Sequence, residues 1–407
     1  DCLLSRGLGD VYKRQVQAFM NSCKHGPLVE QSNGGIISLP CGGGKTIVAL
    51  YLIAALKKKT IIVVHKEFLM NQWKERIKTF LPGAQVGTVQ ASTIDIENKD
   101  IVICMLQSLS MKEYPKDQFD SFGFTIVDEC HHISSEVFSR ALPKITSRYT
   151  LGLSATPKRQ DGMTKVFLWF LGPMLFKGEA DTKKCIDMRV IQYKNFDTDY
   201  CKEEVTAGGQ LCYPRMINNI TNYERRTLLI IELIRRLIRQ GKKILILSDR
   251  RKHLTHIFEL ITRYTIASVG YYVGGMKQKD LDISETKQIL LGTYAMSSEG
   301  MDIPDLDALI LASPKSNIIQ SVGRILRKEH QHNPIVYDIV DEFSKFPNQY
   351  VKRRAYYRKM KYPIHIYNVH DSPNRSILEI YSDLDKEPIK DSKKKKKKET
   401  IVHFIQD

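Results

Sequence analysis

Apolar residues along this chain come in short runs separated by segments of helical periodicity. A first apolar run begins at Ile36, and Ile47 to Leu56 follows as a mostly apolar helix. Ile61 to Val64 is β-branched and reads as a strand, and Glu67 to Phe80 has the 3.6-residue repeat of an amphipathic helix. Ile101 to Cys104 and Phe124 to Val127 are further strands, Ser135 to Leu142 a helix and Tyr149 to Leu153 a strand. The alternation lapses between Lys158 and Asn219, a stretch broken by glycine and proline, and resumes with an Arg-rich amphipathic helix from Asn222 to Gln240. Strands then follow at Lys243–Leu247, Ser268–Val273, Gln288–Leu291, Ala308–Ala312 and Ile335–Ile339, with a helix at Arg251–Arg263. Short apolar strands alternating with helices predict mostly parallel sheets covered on both faces. Ligands of such sheets bind at the carboxyl ends of the strands.

One of those ends carries chemistry. In IISLPCGGGKT, a strand runs into Gly42, Gly43 and Gly44, whose backbone N–H groups can converge on a polyphosphate without a Cβ in the way. Lys45 adds a positive charge, Thr46 has the hydroxyl that a phosphate-bound Mg²⁺ takes as a ligand, and the helix behind them points its N-terminus at the same anion. Pro40 and Cys41 complete the nucleotide-contacting stretch. The usual phosphate-loop pattern has glycine five positions before Gly44, where this chain has Leu39. A second strand end, after FTIV, carries Asp128 and Glu129. Beside a phosphate loop, Asp128 can hold Mg²⁺ through water and Glu129 can orient or deprotonate the water that attacks the γ-phosphate.

The helical string QSVGRILR puts Gln320, Arg324 and Arg327 at spacings of four and three, on one face. Two guanidiniums and an amide on one stripe suit a developing γ-phosphoryl charge and are arginine-finger candidates.

LPCGGGKT, VDECHH and LSATP resemble motifs I, II and III of the superfamily-2 DEAD/H-box helicases, in order and spacing. ILILSDRR resembles motif IV, VGGM the short glycine motif after it, and TYAMSSEGMD and QSVGRILR motifs V and VI. The wording is closest to the XPB-like helicases of nucleocytoplasmic large DNA viruses, the group of the poxvirus transcript-release helicases. The resemblance covers roughly residues 30 to 343.

It implies two tandem RecA-like P-loop domains, α/β with mostly parallel sheets, followed by a basic C-terminal extension, with ATP and Mg²⁺ between the two domains. It implies coupling of nucleotide state to nucleic-acid grip through His131, Ser154 and Thr156, and nucleotide contacts from Gly300 and Asp302. It places nucleic-acid contacts at His65, Lys66, Gln107, Ser108, Ser248, Arg250, Gly274, Gly275 and Thr293. The expected activity is ATP-dependent DNA unwinding or translocation, with 3′ to 5′ polarity. An RNA helicase is the nearest alternative, and a nucleic-acid-binding assembly factor with a non-motor ATPase is the alternative of another class. The viral wording extends the expected partners to RNA polymerase or transcription factors, and the location to a viral factory in the cytoplasm or to the nucleus. No clear adenine-reading glutamine precedes the phosphate loop, Gln15 being the nearest.

Composition fits this reading. The 407 residues suffice for more than one domain, and a net charge of +17 favours polyanionic partners through counterion release. The longest apolar runs are too short to span a bilayer. The 8 cysteines include no C-x-x-C pair, so reduced intracellular thiols are expected. The residue types of Cys130, His131 and His132 suit a metal, but adjacent residues rarely point at one ion.

The expected domains are 16–178 and 221–343, with 179–220 as linker or insert and 344–407 as the basic extension. Residues 1–15, DCLLSRGLGDVYKRQ, resemble a translated sequencing adaptor and are set apart as a non-native leader. VFLWFLGP reads as core or as a wedge against nucleic acid. YVKRRAYYRKMKY interleaves bases and aromatics, as a nucleic-acid-stacking segment or a packing helix does. Lys393 to Lys398 form a six-lysine run, expected to be disordered and to serve nucleic-acid affinity or nuclear targeting.

Overall fold

The structure is a computed structural model and describes residues 12–23, 33–40, 42–130, 135–155, 164–178, 185–299, 303, 305–325 and 333–391. The chain divides into two compact units, residues 1–181 with 298–302, and residues 182–297 with 303–407.

The first unit runs α1 (Lys13–Ser22), β1 (Gly34–Ser38), α2 (Lys45–Leu56), β2 (Thr60–Val64), α3 (Glu67–Phe80), β3 (Val86–Gln90), β4 (Thr93–Ile94), β5 (Ile101–Met105) and α4 (Leu106–Met111). It continues with β6 (Phe124–Val127), α5 (Ser135–Ala141), β7 (Tyr149–Ser154), α6 (Thr164–Leu171) and β8 (Met174–Lys177). Its strands lie in the order β4-β3-β5-β2-β6-β7-β1-β8, and all pairs are parallel except β3 with β4. Because side chains alternate across a strand, Ile37, Ile62, Ile126 and Leu151 pack under α1, α2 and α3 with Phe19, Leu52, Trp73 and Ile77. Ile36, Ile61, Val63 and Val127 point the other way, among Leu109, Phe138 and Leu171 of α4, α5 and α6. Burial on both faces explains why these strands are continuous apolar runs and not alternating ones. In VFLWFLGP, Leu171 is buried and Leu168 and Phe170 pack against the core, whereas Trp169 is 79% exposed.

The second unit runs β9 (Asp187–Asn195), α7 (Tyr213–Asn222), α8 (Glu224–Arg239), β10 (Ile244–Leu247), α9 (Arg251–Arg263), β11 (Val269–Tyr272), α10 (Gln278–Glu285), β12 (Ile289–Gly292) and α11 (Tyr294–Glu299). β13 (Ala308–Leu311), α12 (Ile319–Ile325), β14 (Ile335–Asp341), α13 (Phe346–Lys359), β15 (Ile364–Asp371), α14 (Ile377–Ser382) and β16 (Ile389–Lys390) follow. The sheet order is β11-β12-β10-β13-β14-β9-β15-β16, with β16 antiparallel.

Two stretches differ from the expected domain limits. Within 179–220, read as linker, β9 lies between β14 and β15 and is paired to both. Within 344–407, read as extension, α13, β15, α14 and β16 belong to the same unit. The sequence of β9, DMRVIQYKN, intersperses Arg, Gln and Lys with apolar residues and so lacks the apolar run that marks a central strand. It is buried by its two neighbours, at Met188, Val190, Ile191 and Tyr193. The helix predicted from Asn222 to Gln240 begins at Glu224, because Tyr223 is extended (φ −78°, ψ 111°) and separates α7 from α8.

Arg226 at the start of α8 is fully buried against Asp341 at the end of β14, with Nε–Oδ1 at 2.6 Å and Nη2–Oδ2 at 3.0 Å. Removing one member of a buried ion pair leaves the other charged and desolvated. Arg226→Met is expected to destabilise this unit by about 3–5 kcal/mol, read as a lower urea midpoint at unchanged m-value.

Candidate nucleotide site and nucleic-acid edge

In the first unit the carboxyl ends of β1, β2, β5, β6 and β7 share one edge of a parallel sheet, and the motif residues described there follow those strands. Leu39 continues β1: its N–H donates to the Ser154 carbonyl at 3.0 Å and its side chain is 3% exposed. Position 39 is therefore spent on the core, and the turn that a glycine there would serve begins later. Gly42 (φ 76°) and Gly44 (φ 77°) are left-handed, a conformation that favours glycine, and Gly44 caps the 12-residue helix α2. A Cβ on Gly43 would stand 2.9 Å from the Pro40 carbonyl oxygen. Lys45 and Thr46 open the helix, where unbonded N–H groups and the helix dipole favour an anion.

Lys45 Nζ donates to Glu129 Oε1 at 2.5 Å, with both side chains mostly buried. Glu129 has φ 46°, a left-handed value for a non-glycine residue, and such strain is found where side-chain direction matters more than backbone ease. Asp128, 7% exposed, accepts from Trp73 Nε1 at 2.9 Å and from the Glu129 N–H at 2.9 Å. Burial pushes its pKa up to about 6, and the Glu129 charge adds to this. Lys45 and the Trp73 hydrogen bond act in the opposite direction.

Trp73 is the residue sequence reading overlooked. As one apolar position on the α3 stripe it looks like any core residue, and only its indole nitrogen sets it apart. Tyr12 is a second such residue, inside the stretch set aside as a leader. Its ring lies against the phosphate loop, where a Cβ on Gly44 would fall 2.3 Å from the Tyr12 hydroxyl. One turn along, Gln15 Oε1 is buried and has no partner among the described residues.

The expected nucleic-acid contacts sort into surface and support. His65 and Lys66 are half-buried, and burial lowers the Lys66 pKa. Gln107 is exposed and donates to the His65 carbonyl at 3.2 Å, joining the turns after β2 and β5. Ser108 is buried, its hydroxyl accepting from the Ala91 N–H at 2.9 Å, and it serves the turn. Ser154 is buried at the end of β7.

In the second unit Ser248 is fully buried, 3.1 Å from His253 Nδ1 and accepting from the Arg250 N–H at 3.2 Å. Its hydroxyl, expected beside the nucleic-acid track, holds the turn that presents Arg250. Arg250 is half-buried and braced on Asn218 Oδ1 (2.5 Å) and the Pro214 carbonyl (2.9 Å). Gly274 accepts a hydrogen bond from Arg251, and Gly275 (φ 88°) faces open space. Thr293 is half-buried before α11. Gln320 is half-buried on α12, and Ser321 beside it lies 2.8 Å from Ser297 of α11, Oγ to Oγ. Cys41, His131, Thr156, Gly300, Asp302 and Arg327, the side chain of Arg324 and the six-lysine run lie outside what is described.

Among the described residues no group of His, Cys, Asp and Glu could hold a metal by itself, and the 6 described cysteines are free thiols. No described helix is long and apolar enough to cross a membrane. The segment YVKRRAYYRKMKY is largely the helix α13, with Tyr350, Arg353 and Tyr357 buried against the sheet, so these two tyrosines pack and do not stack on bases.

Two sheets of RecA-like topology, one ending in a phosphate loop and an acidic pair, define a tandem helicase core. Residues 9–159 match the model of the type III restriction enzyme res subunit, and residues 227–329 that of the helicase conserved C-terminal domain. The chain is 39% identical over 350 residues to the putative ATP-dependent RNA helicase L396 of Acanthamoeba polyphaga mimivirus, covering 84% of this chain and 67% of that one. It is 30% identical to the putative helicase 161L of Invertebrate iridescent virus 6, covering 82% of this chain and 78% of that one. The fold is similar to S. cerevisiae Dbp5 bound to RNA and ADP BeF3 (TM-score 0.58, 10% identity, 91% of this chain and 92% of that one). It is also similar to the Pyrococcus furiosus Hef helicase domain (TM-score 0.53, 13% identity, 84% and 97%). The chain belongs to the superfamily-2 helicases, and is an ATP-hydrolysing helicase enzyme.

Proposed function

We propose that this protein is a nucleic-acid-stimulated motor of the XPB-like viral group, whose ATP turnover drives movement along, or separation of, nucleic-acid strands. The observation that carries the nucleotide half is the Lys45–Glu129 contact of 2.5 Å, beside a glycine cradle that any Cβ at Gly43 would crowd. It brings the phosphate-binding cation and the water-orienting carboxylate to one point. ATP fits the residues present: Gly42 to Thr46 supply backbone donors and a cation, and Gln15 Oε1, without a partner among the described residues, is an acceptor of the kind an adenine amino group satisfies. A magnesium ion held by Thr46 and Asp128 would supply charge neutralisation on the phosphates. Glu129 takes the proton of the attacking water, Lys45 holds the γ-phosphate oxygens, and Trp73 keeps Asp128 in orientation. Arg324 and Arg327 are assigned as the arginine fingers and Gln320 as their polar companion. His131, Ser154 and Thr156 are assigned to coupling, and Gly300 and Asp302 to nucleotide contact.

His65, Lys66, Gln107, Arg250, Gly274, Gly275 and Thr293 are assigned to the nucleic-acid track, with Ser108 and Ser248 in the turns that carry it. Contacts of this kind are to phosphates, so little sequence preference and strong salt dependence are expected. The wording of the motifs favours DNA, while several viral relatives carry RNA helicase in their names. ATPase stimulation by single-stranded DNA, duplex DNA and RNA, measured on one preparation over a salt series, separates the two. Stimulation by DNA alone supports the DNA reading, and stimulation by RNA alone replaces it. No stimulation by any of the three removes the motor assignment in favour of an assembly ATPase.

A further inference from the structure

The helix proposed to carry Arg324, α12, is described over Ile319–Ile325, and the loop that feeds it is residues 312–318. Side chains from four elements fasten that loop. Arg226 Nη1 of α8 donates to the Ala312 carbonyl at 2.7 Å, and the Tyr294 hydroxyl of α11 donates to the Ser313 carbonyl at 2.7 Å. Ser313 Oγ accepts from the Asp249 N–H at 2.9 Å, and Lys315 Nζ is 3.1 Å from both Asp249 carboxylate oxygens, which binds the loop to the turn presenting Arg250. The fourth tie comes from the C-terminal appendage, where Arg353 Nη1 of α13 donates to the Lys315 carbonyl at 2.5 Å.

Arg353 is built for this task. It is 3% exposed and ion-paired with Asp338 of β14: Nε donates to Oδ2 at 2.9 Å and Nη2 lies 2.9 Å from Oδ1, while the Tyr357 hydroxyl donates to Oδ2 at 2.8 Å. One hydrogen bond and the ion pair hold the guanidinium on the sheet, with Nη1 aimed at the loop. Burying a charged pair is costly, and a well-packed apolar pair would serve stability as well or better. An apolar pair could not hold the Lys315 carbonyl.

We propose that Arg353 is a positioning residue for the arginine-finger helix, so that the C-terminal appendage is a working part of the ATPase and not a nucleic-acid tail. The proposal rests on the assignment of Arg324 as a finger. Arg353→Lys keeps a cation against Asp338, but one ammonium cannot reach both Asp338 and the Lys315 carbonyl in the fork geometry of arginine. The full chain carrying Arg353→Lys is expected to melt near the parent temperature and to bind ATP and nucleic acid as the parent does. Its stimulated kcat should fall on the order of 10- to 100-fold, the scale of a misplacement of about 1 Å.

An unchanged kcat overturns the proposal, and so does a loss that follows a fall in melting temperature and nucleic-acid affinity. If Arg353→Lys does not fold, the triple variant Arg353→Met, Asp338→Leu, Tyr357→Phe removes both charges and the hydroxyl that depends on them, and the same selective loss of kcat is expected. Arg324→Ala is assayed in parallel. Full activity in that variant sinks the finger assignment and this proposal with it, whereas its inactivity beside a fully active Arg353→Lys overturns the positioning role alone.

Discussion

Glu129→Gln binds ATP as the parent does and loses nucleic-acid-stimulated hydrolysis by about 10²–10⁴-fold, the usual contribution of a positioned general base. The amide is nearly the same shape, so the left-handed backbone at Glu129 (φ 46°) and the packing around it are kept. What it lacks is a lone pair basic enough to take a proton from water. Phosphate steady-state assays with and without nucleic acid, beside equilibrium binding of a fluorescent ATP analogue, read the two quantities separately. Because Lys45 Nζ contacts Glu129 Oε1 at 2.5 Å, the substitution also weakens a charge-assisted hydrogen bond and leaves the ammonium freer for phosphate. Binding that weakens markedly would mean that Glu129 organises the loop itself. Undiminished turnover would remove Glu129 from the chemistry.

Arg324→Ala is the second large effect. An arginine finger contributes ~10³ to 10⁵ in rate by meeting charge that develops only in the transition state. ATP binding therefore survives while hydrolysis falls to near background. Arg324→Lys should recover little, since a point charge does not reproduce a planar fork. Single-turnover hydrolysis with enzyme in excess over ATP isolates the chemical step. A defect confined to product release, with a normal first turnover, would contradict the assignment.

Much of this protein is legible in its sequence. The strands of the first unit are buried on both faces, and so they stand out as apolar runs; the phosphate loop and the acidic pair follow two of them directly. β9 was missed because its polar alternation, DMRVIQYKN, is ordinary for a half-exposed segment, and its central position comes from pairing with β14 and β15, more than 140 residues away. In sequence, a serine after a strand such as Ser248 looks the same whether its hydroxyl faces a ligand or His253. Tyr350 and Tyr357 could have been stacking platforms by composition, and burial against the sheet made them core. Trp73 and Arg353 showed no local signal: each matters through one hydrogen bond to a residue distant in sequence or on another element.

By itself the sequence determined the class of chemistry and the two-sheet plan. A phosphate loop, a DE pair and an arginine-bearing helix are local strings, and hydrophobic periodicity is a local record of which faces are buried. Only the tertiary structure decided that Leu39 belongs to the core, that Glu129 meets Lys45 and that the C-terminal appendage is wired to the loop before α12. Those are contacts between residues far apart in the chain, and they exist only once each sheet has brought its own strand ends together.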